Sequence, residues 1–589
     1  MMKYKHFVRW ATAALLFSPL FFIGTDTAAA AVPQSTAVVQ KEIHGRQEKG
    51  FQAGPGIAVV QTTAGKVQGY VRQGIYTYHG IPYAEAKERF KPAQPVQPWQ
   101  GTRLAMDYGP ISPQPTSSFP NSTWEEPARS FAMDNNCQNL NIWTPGINDG
   151  KKRPVMVWLH GGGFQAGSSA ESPAYDGANL SRRGDVVVVS LNHRLNVLGH
   201  LDLSAYGKDY QYSGNVGILD LVNGLKWIRS NIAAFGGDPQ NVTIFGESGG
   251  GAKVLALMTA PEAKGLFQKG IVESGAVESM GPYFMDKKAS AEIAALTLKN
   301  LGLTKDQVEQ LQTVPYDTLT AASDKALKEV GAEYKVPQAM GSGYGMSWEP
   351  VIDGDFLPTN PVTKDSFAAA GKDVPLLIGT NRTEWTGFPL IVNMAQSQSD
   401  NIHTWSDAEI DKRLNEAYGD KTDAVVRAFL KAYPNKTKAD ALYIDTLIRL
   451  PILKIMEHKV AQGGAPVYAY LFSWDSPVMN GIYMSYHTAE IPFVFHNIDV
   501  YKRQQQSGLG LDDGREPHPQ VRQERRFPGP YPGTCPGCLH GLQPRLRPGR
   551  PPAGLLPPYQ GCRSREIRPF RYGSLGHRKR WQNSGRTGQ

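Results

Sequence analysis

The chain has no apolar run long enough to span a bilayer. Its longest mostly apolar stretch, Ala11 to Ile23, is 13 residues and is interrupted by Ser18 and Pro19, short of the roughly 20 that a transmembrane helix needs. There is no internal repeat, and no linker breaks the alternation of strand and helix signals from about Val59 to Val500. One large α/β domain is therefore expected there, although length alone would suggest more. Cysteine is scarce, with four residues in 589. Cys535-Pro536-Gly537-Cys538 has neither a second pair nor a thioredoxin-like setting, which makes it weak as a metal or redox half-site. β-Branched aliphatics almost vanish from Tyr501 onward: the last 89 residues hold one Ile and one Val beside 15 Arg and 13 Pro. That composition supplies neither ordinary strands nor a core. Acidic residues are few there as well, 5 against 17 Lys and Arg, while the rest of the chain has 48 against 45. The net charge of +9 thus comes from the tail and says nothing about partners of the body, for which no nucleic acid is expected.

At the other end, Lys3, Lys5 and Arg9 precede the short apolar stretch, and Ala28-Ala29-Ala30-Ala31 offers an A-x-A cleavage site. This is the pattern of a signal peptide rather than a membrane anchor. Residues 1–31 are expected to be removed on export, 32–56 to form a mobile polar leader, 57–500 the α/β domain and 501–589 an anomalous tail.

Gly246-Glu247-Ser248-Gly249-Gly250 follows the β-rich run Asn241-Val242-Thr243-Ile244-Phe245 and reads G-x-S-x-G at a strand-to-helix turn. A turn sharp enough to hold a serine hydroxyl clear of the backbone brings chain segments so close that only glycine fits two residues either side. Ser248 is the expected nucleophile. A chain with 61 glycines produces such pentapeptides by chance, so context must decide. Upstream, Pro154-Val155-Met156-Val157-Trp158-Leu159 is a short apolar run of the kind buried in parallel sheets, and His160-Gly161-Gly162-Gly163-Phe164 comes directly after it. Consecutive glycines let backbone N–H groups face a cavity unobstructed, as a developing oxyanion requires. Gly162, Gly163 and Gly249 are the expected donors.

With these two motifs the chain resembles the type-B carboxylesterase family, which includes cholinesterases and bacterial para-nitrobenzyl esterases. The resemblance runs from about Val59 to Val500 through ordered blocks, among them Gly80-Ile81-Pro82-Tyr83-Ala84, Asn139-Leu140-Asn141-Ile142-Trp143-Thr144-Pro145, Asn192-His193-Arg194, Gly214-Asn215 with Asp220, Ala234-Phe235-Gly236-Gly237-Asp238-Pro239 and Pro350-Val351-Ile352-Asp353-Gly354. It implies an α/β-hydrolase fold: a large, mostly parallel central sheet flanked by helices, with helical cap insertions. The helix-rich segment from about Asp286 to Tyr344 is the expected part of that cap.

A serine hydroxyl needs a histidine to take its proton and a carboxylate to fix that histidine's tautomer, in the chain order serine, acid, histidine. The apolar strand Val374-Pro375-Leu376-Leu377-Ile378 opens into Gly379-Thr380-Asn381-Arg382-Thr383-Glu384. This puts a carboxylate at the C-terminal end of a strand, where such sheets build their sites. Glu384 also matches the family's G-x-N-x-x-E pattern and is the expected acid. Asp353 and Asp355 are rivals, but Asp353 sits in an Ile-Asp-Gly turn suited to backbone hydrogen bonding. Tyr486-His487-Thr488-Ala489-Glu490 is similar to the family's histidine block, which makes His487 the expected base over His496. His193 stands where the family usually has tyrosine and is expected to pack or hydrogen-bond beneath the site. Phe164 and Trp348 are candidates to line an acyl pocket, with core packing the alternative for Trp348.

The resulting mechanism is acyl transfer: Ser248 attacks an ester carbonyl, His487 takes and returns the proton, Glu384 stabilises the imidazolium, and water hydrolyses the acyl-enzyme. It requires no cofactor or metal. The partner is a small-molecule carboxylic ester, and neither stable membrane insertion nor a particular acyl or alcohol group is implied. If His487 is little perturbed, activity falls as it protonates near its reference pKa of about 6.5. The alternative is a catalytically silent, esterase-like binding protein, as some relatives are adhesion proteins, or a chain inactivated by its C-terminus. Cys137 occupies a position that in the family often forms an early disulfide, but Ser112 stands where the partner would be, so a buried free thiol is expected unless a tail cysteine pairs with it. Past the histidine the family continues with a helix and strands. The tail fits a disordered basic segment, a Cys-x-x-Cys half-site or, the favoured reading, a shifted reading frame that leaves apolar faces of the core open to water.

Overall fold

The computed structural model describes residues 50–115, 131–275, 284–337, 343–363, 366–386, 400–477 and 481–499. The expected signal peptide, most of the expected leader, and the tail with Cys535 and Cys538 lie outside these residues. The chain divides into two units, Met1–Leu511 and Asp512–Gln589, and the described residues all belong to the first.

Thirteen strands lie among the described residues: β1 (Phe51–Gln52), β2 (Val59–Gln61), β3 (Lys66–Gln68), β4 (Tyr70–Arg72), β5 (Ile75–Pro82), β6 (Thr102–Leu104), β7 (Asn139–Thr144), β8 (Arg153–Leu159), β9 (Val187–Leu191), β10 (Gly237–Glu247), β11 (Lys269–Glu273), β12 (Leu376–Asn381) and β13 (Val467–Phe472). Ten of them make one sheet in the order β1-β4-β5-β7-β9-β8-β10-β11-β12-β13, and β2, β3 and β6 make a small second one. From β9 to β13 every pairing is parallel, and from β1 to β9 by way of β7 every pairing is antiparallel. Both faces of the central strands are covered: β7 and β9 are buried at every residue, β9 with a nearly continuous apolar run and β7 with Asn139 and Asn141 buried among its apolar residues.

The helices that position the site are α1 (Val216–Asn231), α2 (Gly249–Thr259), α3 (Lys287–Asn300), α4 (Tyr316–Glu333) and α5 (Arg449–Ala461). Asp286 caps α3 by accepting the N–H groups of Lys288 and Ala289. Ala289, Ile293, Ala294 and Leu298 then form its buried stripe. With α4, Trp348 and Val351 this stripe builds an apolar cluster separate from that of the sheet, so its role is packing.

Two of the family-like blocks meet in a buried ion pair. The Arg194 guanidinium reaches Asp220 on α1 through Nε at 2.8 Å and Nη2 at 2.7 Å, with both side chains fully enclosed. Asp220 also accepts the Arg194 N–H and the Gln138 amide. This joins the β9 loop, the β7 approach and α1. Next to it Cys137 is buried with a free thiol, and burial holds that thiol protonated by raising its pKa. Ser112, in the position that lacks a partner cysteine, accepts the Leu195 N–H at 3.1 Å instead.

The far edge is built differently. On β13, Tyr468 and Leu471 are exposed, and on α5 so are Leu450, Leu453 and Val460. Five large apolar side chains are thus exposed on this edge strand and the helix beside it in sequence.

Removing one charge of a buried pair strands the other. Asp220→Asn is expected to lower unfolding stability by about 3–5 kcal/mol, read as a reduced urea midpoint; an unchanged midpoint would show that the pair is not a structural anchor.

Candidate active site

β10 is paired on both sides, to β8 and to β11, as far as its last residues. It delivers the chain to Ser248, whose backbone is left-handed at φ 56° and ψ −123°. Two hydrogen bonds clamp the turn: the Ser248 N–H donates to Glu273 O at 2.8 Å, and the Ser248 carbonyl accepts from Ala252 N at 3.1 Å. A Cβ at Gly246 would come within 2.6 Å of Leu159 O and of Gly250 C, and one at Gly250 would overlap the Leu159 carbonyl. The two outer glycines are therefore steric requirements of the turn, as the pentapeptide implies. A Cβ at Gly249 would overlap the backbone of Gly163, so the absence of a side chain lets the serine turn and the glycine loop touch.

Gly162 and Gly163 both have positive φ, 80° and 60°, and both retain solvent exposure. The N–H groups of Gly162, Gly163 and Gly249 donate to no acceptor among the described residues. That of Gly249 is the first of α2, where no intrahelical acceptor exists. These are the three positions expected to bind an oxyanion.

Glu384 and His487 are brought together across 103 positions of chain. His487 Nδ1 lies 2.8 Å from Glu384 Oε2, and the His487 N–H donates to the Glu384 carbonyl at 2.7 Å. Glu384 is fully buried, and its second oxygen accepts the Asn381 N–H at 2.7 Å. The Asn381 side chain then donates to Tyr486 O and to Glu490 Oε2, tying the histidine loop to the end of β12. Trp385 stacks on the imidazole with centroids 5.1 Å apart.

Glu247 is a functional candidate that the sequence does not single out, although it sits inside the serine pentapeptide. Its Oε1 lies 3.3 Å from His487 Nε2, which brings the imidazole to the serine's turn. Burial alone would lower the His487 pKa, but Glu247, Glu384 and Glu490 overcome it and raise the imidazole above its ordinary value. Burial also raises Glu247, with Glu490 and Glu384 adding to the shift. Glu247 and His487 therefore titrate as a pair, and the condition of a little-perturbed histidine is not met.

The rivals fall elsewhere. Asp353 accepts the N–H groups of Asp355 and Leu357 and the amide of Asn215, the turn role expected of it. His496 is exposed and its N–H bonds to Phe493 O. His193 is buried, has Nδ1 2.9 Å from Arg194 O, and stacks on His160 with centroids 5.2 Å apart. Phe164 and Trp348 are each 2% exposed and both pack in the interior.

The carboxylesterase family model matches residues 57–508. Para-nitrobenzyl esterase of Bacillus subtilis (strain 168) is 36% identical over 452 residues, covering 76% of this chain and 84% of that protein. Phenmedipham hydrolase of Pseudarthrobacter oxydans is 31% identical over 470 residues, covering 78% and 86%. Among solved structures, an esterase from anaerobic Clostridium hathewayi that can hydrolyze aliphatic aromatic polyesters superimposes with a TM-score of 0.68 at 40% identity, covering 77% of this chain and 85% of that one. A serine turn at the end of a central parallel strand, a glycine loop against it and a match over most of the chain lead to one conclusion: this chain belongs to the carboxylesterase family, as a serine carboxylesterase of the α/β-hydrolase fold.

Proposed function

We propose that Ser248, His487 and Glu384 form the catalytic triad, with Gly162, Gly163 and Gly249 as the oxyanion hole, acting on small-molecule carboxylic esters. The observation that carries this is the buried 2.8 Å contact of His487 Nδ1 with Glu384, at the same end of the parallel sheet as the Ser248 turn. Glu384 fixes the tautomer in which Nε2 can accept the Ser248 proton. Ser248 Oγ attacks the ester carbonyl, the oxyanion settles against the three N–H groups, and the imidazolium returns its proton to the departing alcohol. Water repeats these steps on the acyl-enzyme, with His487 as its base. No cofactor or metal enters the sequence of steps. We also propose that the protein is exported, on the strength of the Lys3, Lys5 and Arg9 cluster, the short apolar stretch and the alanine run.

Ser248→Ala is expected to lower kcat on a chromogenic short-chain ester by on the order of 10⁶ while the melting curve stays in place; appreciable residual turnover would sink the nucleophile assignment. The pH profile tests the histidine. Its neutral form is the base, so activity is present above its pKa and lost as pH falls through it. The raised pKa places this loss above pH 6.5, and Glu247→Gln is expected to move it to lower pH. An acid limb that stays put in the variant would contradict the pairing of Glu247 with His487. For export, N-terminal sequencing of protein recovered outside the cytoplasm is expected to begin near Ala31 or Val32; an intact Met1 there would refute cleavage.

A further inference from the structure

α2 is buried along its whole length, and Lys253 is its one charged residue. The Lys253 side chain has no solvent exposure. Its Nζ donates to His160 O at 2.8 Å and to Gly161 O at 3.4 Å. His160 Nδ1 lies 2.9 Å from the same Gly161 O and donates to it in the Nδ1–H tautomer. The two carbonyls belong to the peptide units whose N–H groups are those of Gly161 and Gly162. In a trans planar peptide the C=O and N–H point in opposite directions, so donors anchored on Gly161 O turn the Gly162 N–H away from Lys253.

The groups around the ammonium are arranged to keep it as the local positive charge. The Phe164 ring lies 5.7 Å from Nζ and is braced edge-on against His200 and Phe284. His160, His193 and His200 are lowered in pKa by burial, with Lys253 adding to the effect, and are held neutral. Their Nε2 atoms have no hydrogen-bond partner among the described residues. Glu171 and Glu349 act on Lys253 from the acidic side. Glu349 is buried, and Glu171 accepts the Ser168 N–H and the Tyr175 hydroxyl. Burial brings the Lys253 ammonium down to about 7, against the pull of the two glutamates.

We propose that Lys253 is a positioning residue for ester hydrolysis: through the His160 and Gly161 carbonyls it holds the Gly162 peptide with its N–H aimed at the developing oxyanion. The inference rests on the reading of Ser248 as nucleophile and Gly162 as donor. A cation on the carbonyl end of a peptide also polarises its N–H, so the protonated form is the effective one.

Lys253→Met keeps an unbranched apolar chain and removes the donor. The expected result is a kcat lower by about tenfold or more, toward the 10² to 10³ of a lost oxyanion donor, with KM changed by less than about threefold. Affinity for a trifluoromethyl ketone, which forms an oxyanionic hemiketal with the serine, is expected to fall by the same factor as kcat. A folded variant with unchanged kcat overturns the proposal, as does a loss of kcat with undiminished affinity for the ketone. If Lys253→Met does not fold, Lys253→Gln decides: it keeps a shorter, uncharged donor, kcat and ketone affinity are expected to fall together, and an unchanged kcat overturns the proposal. Ser248→Ala run alongside separates the two readings: turnover surviving that change defeats the nucleophile and this inference together, whereas turnover lost there but intact in Lys253→Met defeats the inference alone.

Discussion

The left-handed backbone at Ser248 is the constraint around which the rest of the site is arranged. A non-glycine residue at φ 56° and ψ −123° costs of order 1–3 kcal/mol and persists only where its surroundings over-determine it. Here they do. β10 is paired in parallel on both sides, Phe245 opposite Trp158 and Glu247 opposite Glu273, so neither strand end can unwind to relax the turn. The bond from Ser248 N–H to Glu273 O fixes one side of the residue, and the first turn of α2 fixes the other. Close approach of Leu159 to Gly250 and of Gly163 to Gly249 then places the glycine loop against the serine by contact alone. The oxyanion donors and the nucleophile are thus held by one packing arrangement rather than by separate loops.

That rigidity allows a second costly feature, a group of four buried glutamates at the ends of β10, β11 and β12. An unpaired buried carboxylate is too expensive to keep ionised. Glu384 is satisfied by the Asn381 N–H and by His487. Glu490 accepts from Asn381 and from the Ser274 hydroxyl, and burial with the Glu384 charge raises it to about 7. Glu273 and Glu247 are raised well above the ordinary carboxylate range, chiefly by burial. Asn381 is the joint of this group. Its backbone serves one acid, its side chain serves another, and its bond to Tyr486 O sets where His487 stands.

Much of this is legible in the sequence because it depends on residues with one stereochemical use. Glycine flanking a serine after a β run, three glycines after an apolar strand, and a glutamate just past a strand each name their own geometry, and β10, β8 and β12 fall where those patterns place them. The block similar to the family's histidine region locates His487 where physics alone leaves His496 open. What is not legible are pairings set by the third dimension. Glu247 meets His487 across 240 positions of chain, which the pentapeptide does not reveal. Phe164 is expected beside the acyl group because it comes after the glycines, yet its ring packs inward on Lys253 and His200. Lys253 leaves one local signal, a single charge in Gly249–Thr259, but a lone lysine in an apolar helix says nothing of which carbonyls it meets.

The buried polar groups near the serine turn fall into two sets of opposite electrostatic character. One holds carboxyls around His487; the other holds Lys253 and neutral imidazoles behind the glycine loop. In the proposed reaction the transition state separates charge between those same sets. A proton moves from Ser248 to His487, so positive charge develops among the carboxyls, while negative charge develops on the oxygen facing the glycine N–H groups. Groups that are already oriented, and that lie in a site from which water is largely excluded, stabilise this separation without having to reorganise as it forms. The same field is nearly neutral toward an uncharged ester in its ground state, so its effect falls on kcat rather than on binding. Burying ionisable side chains around a rigid turn costs folding stability, and differential stabilisation of the charge-separated state is the physical return for that cost.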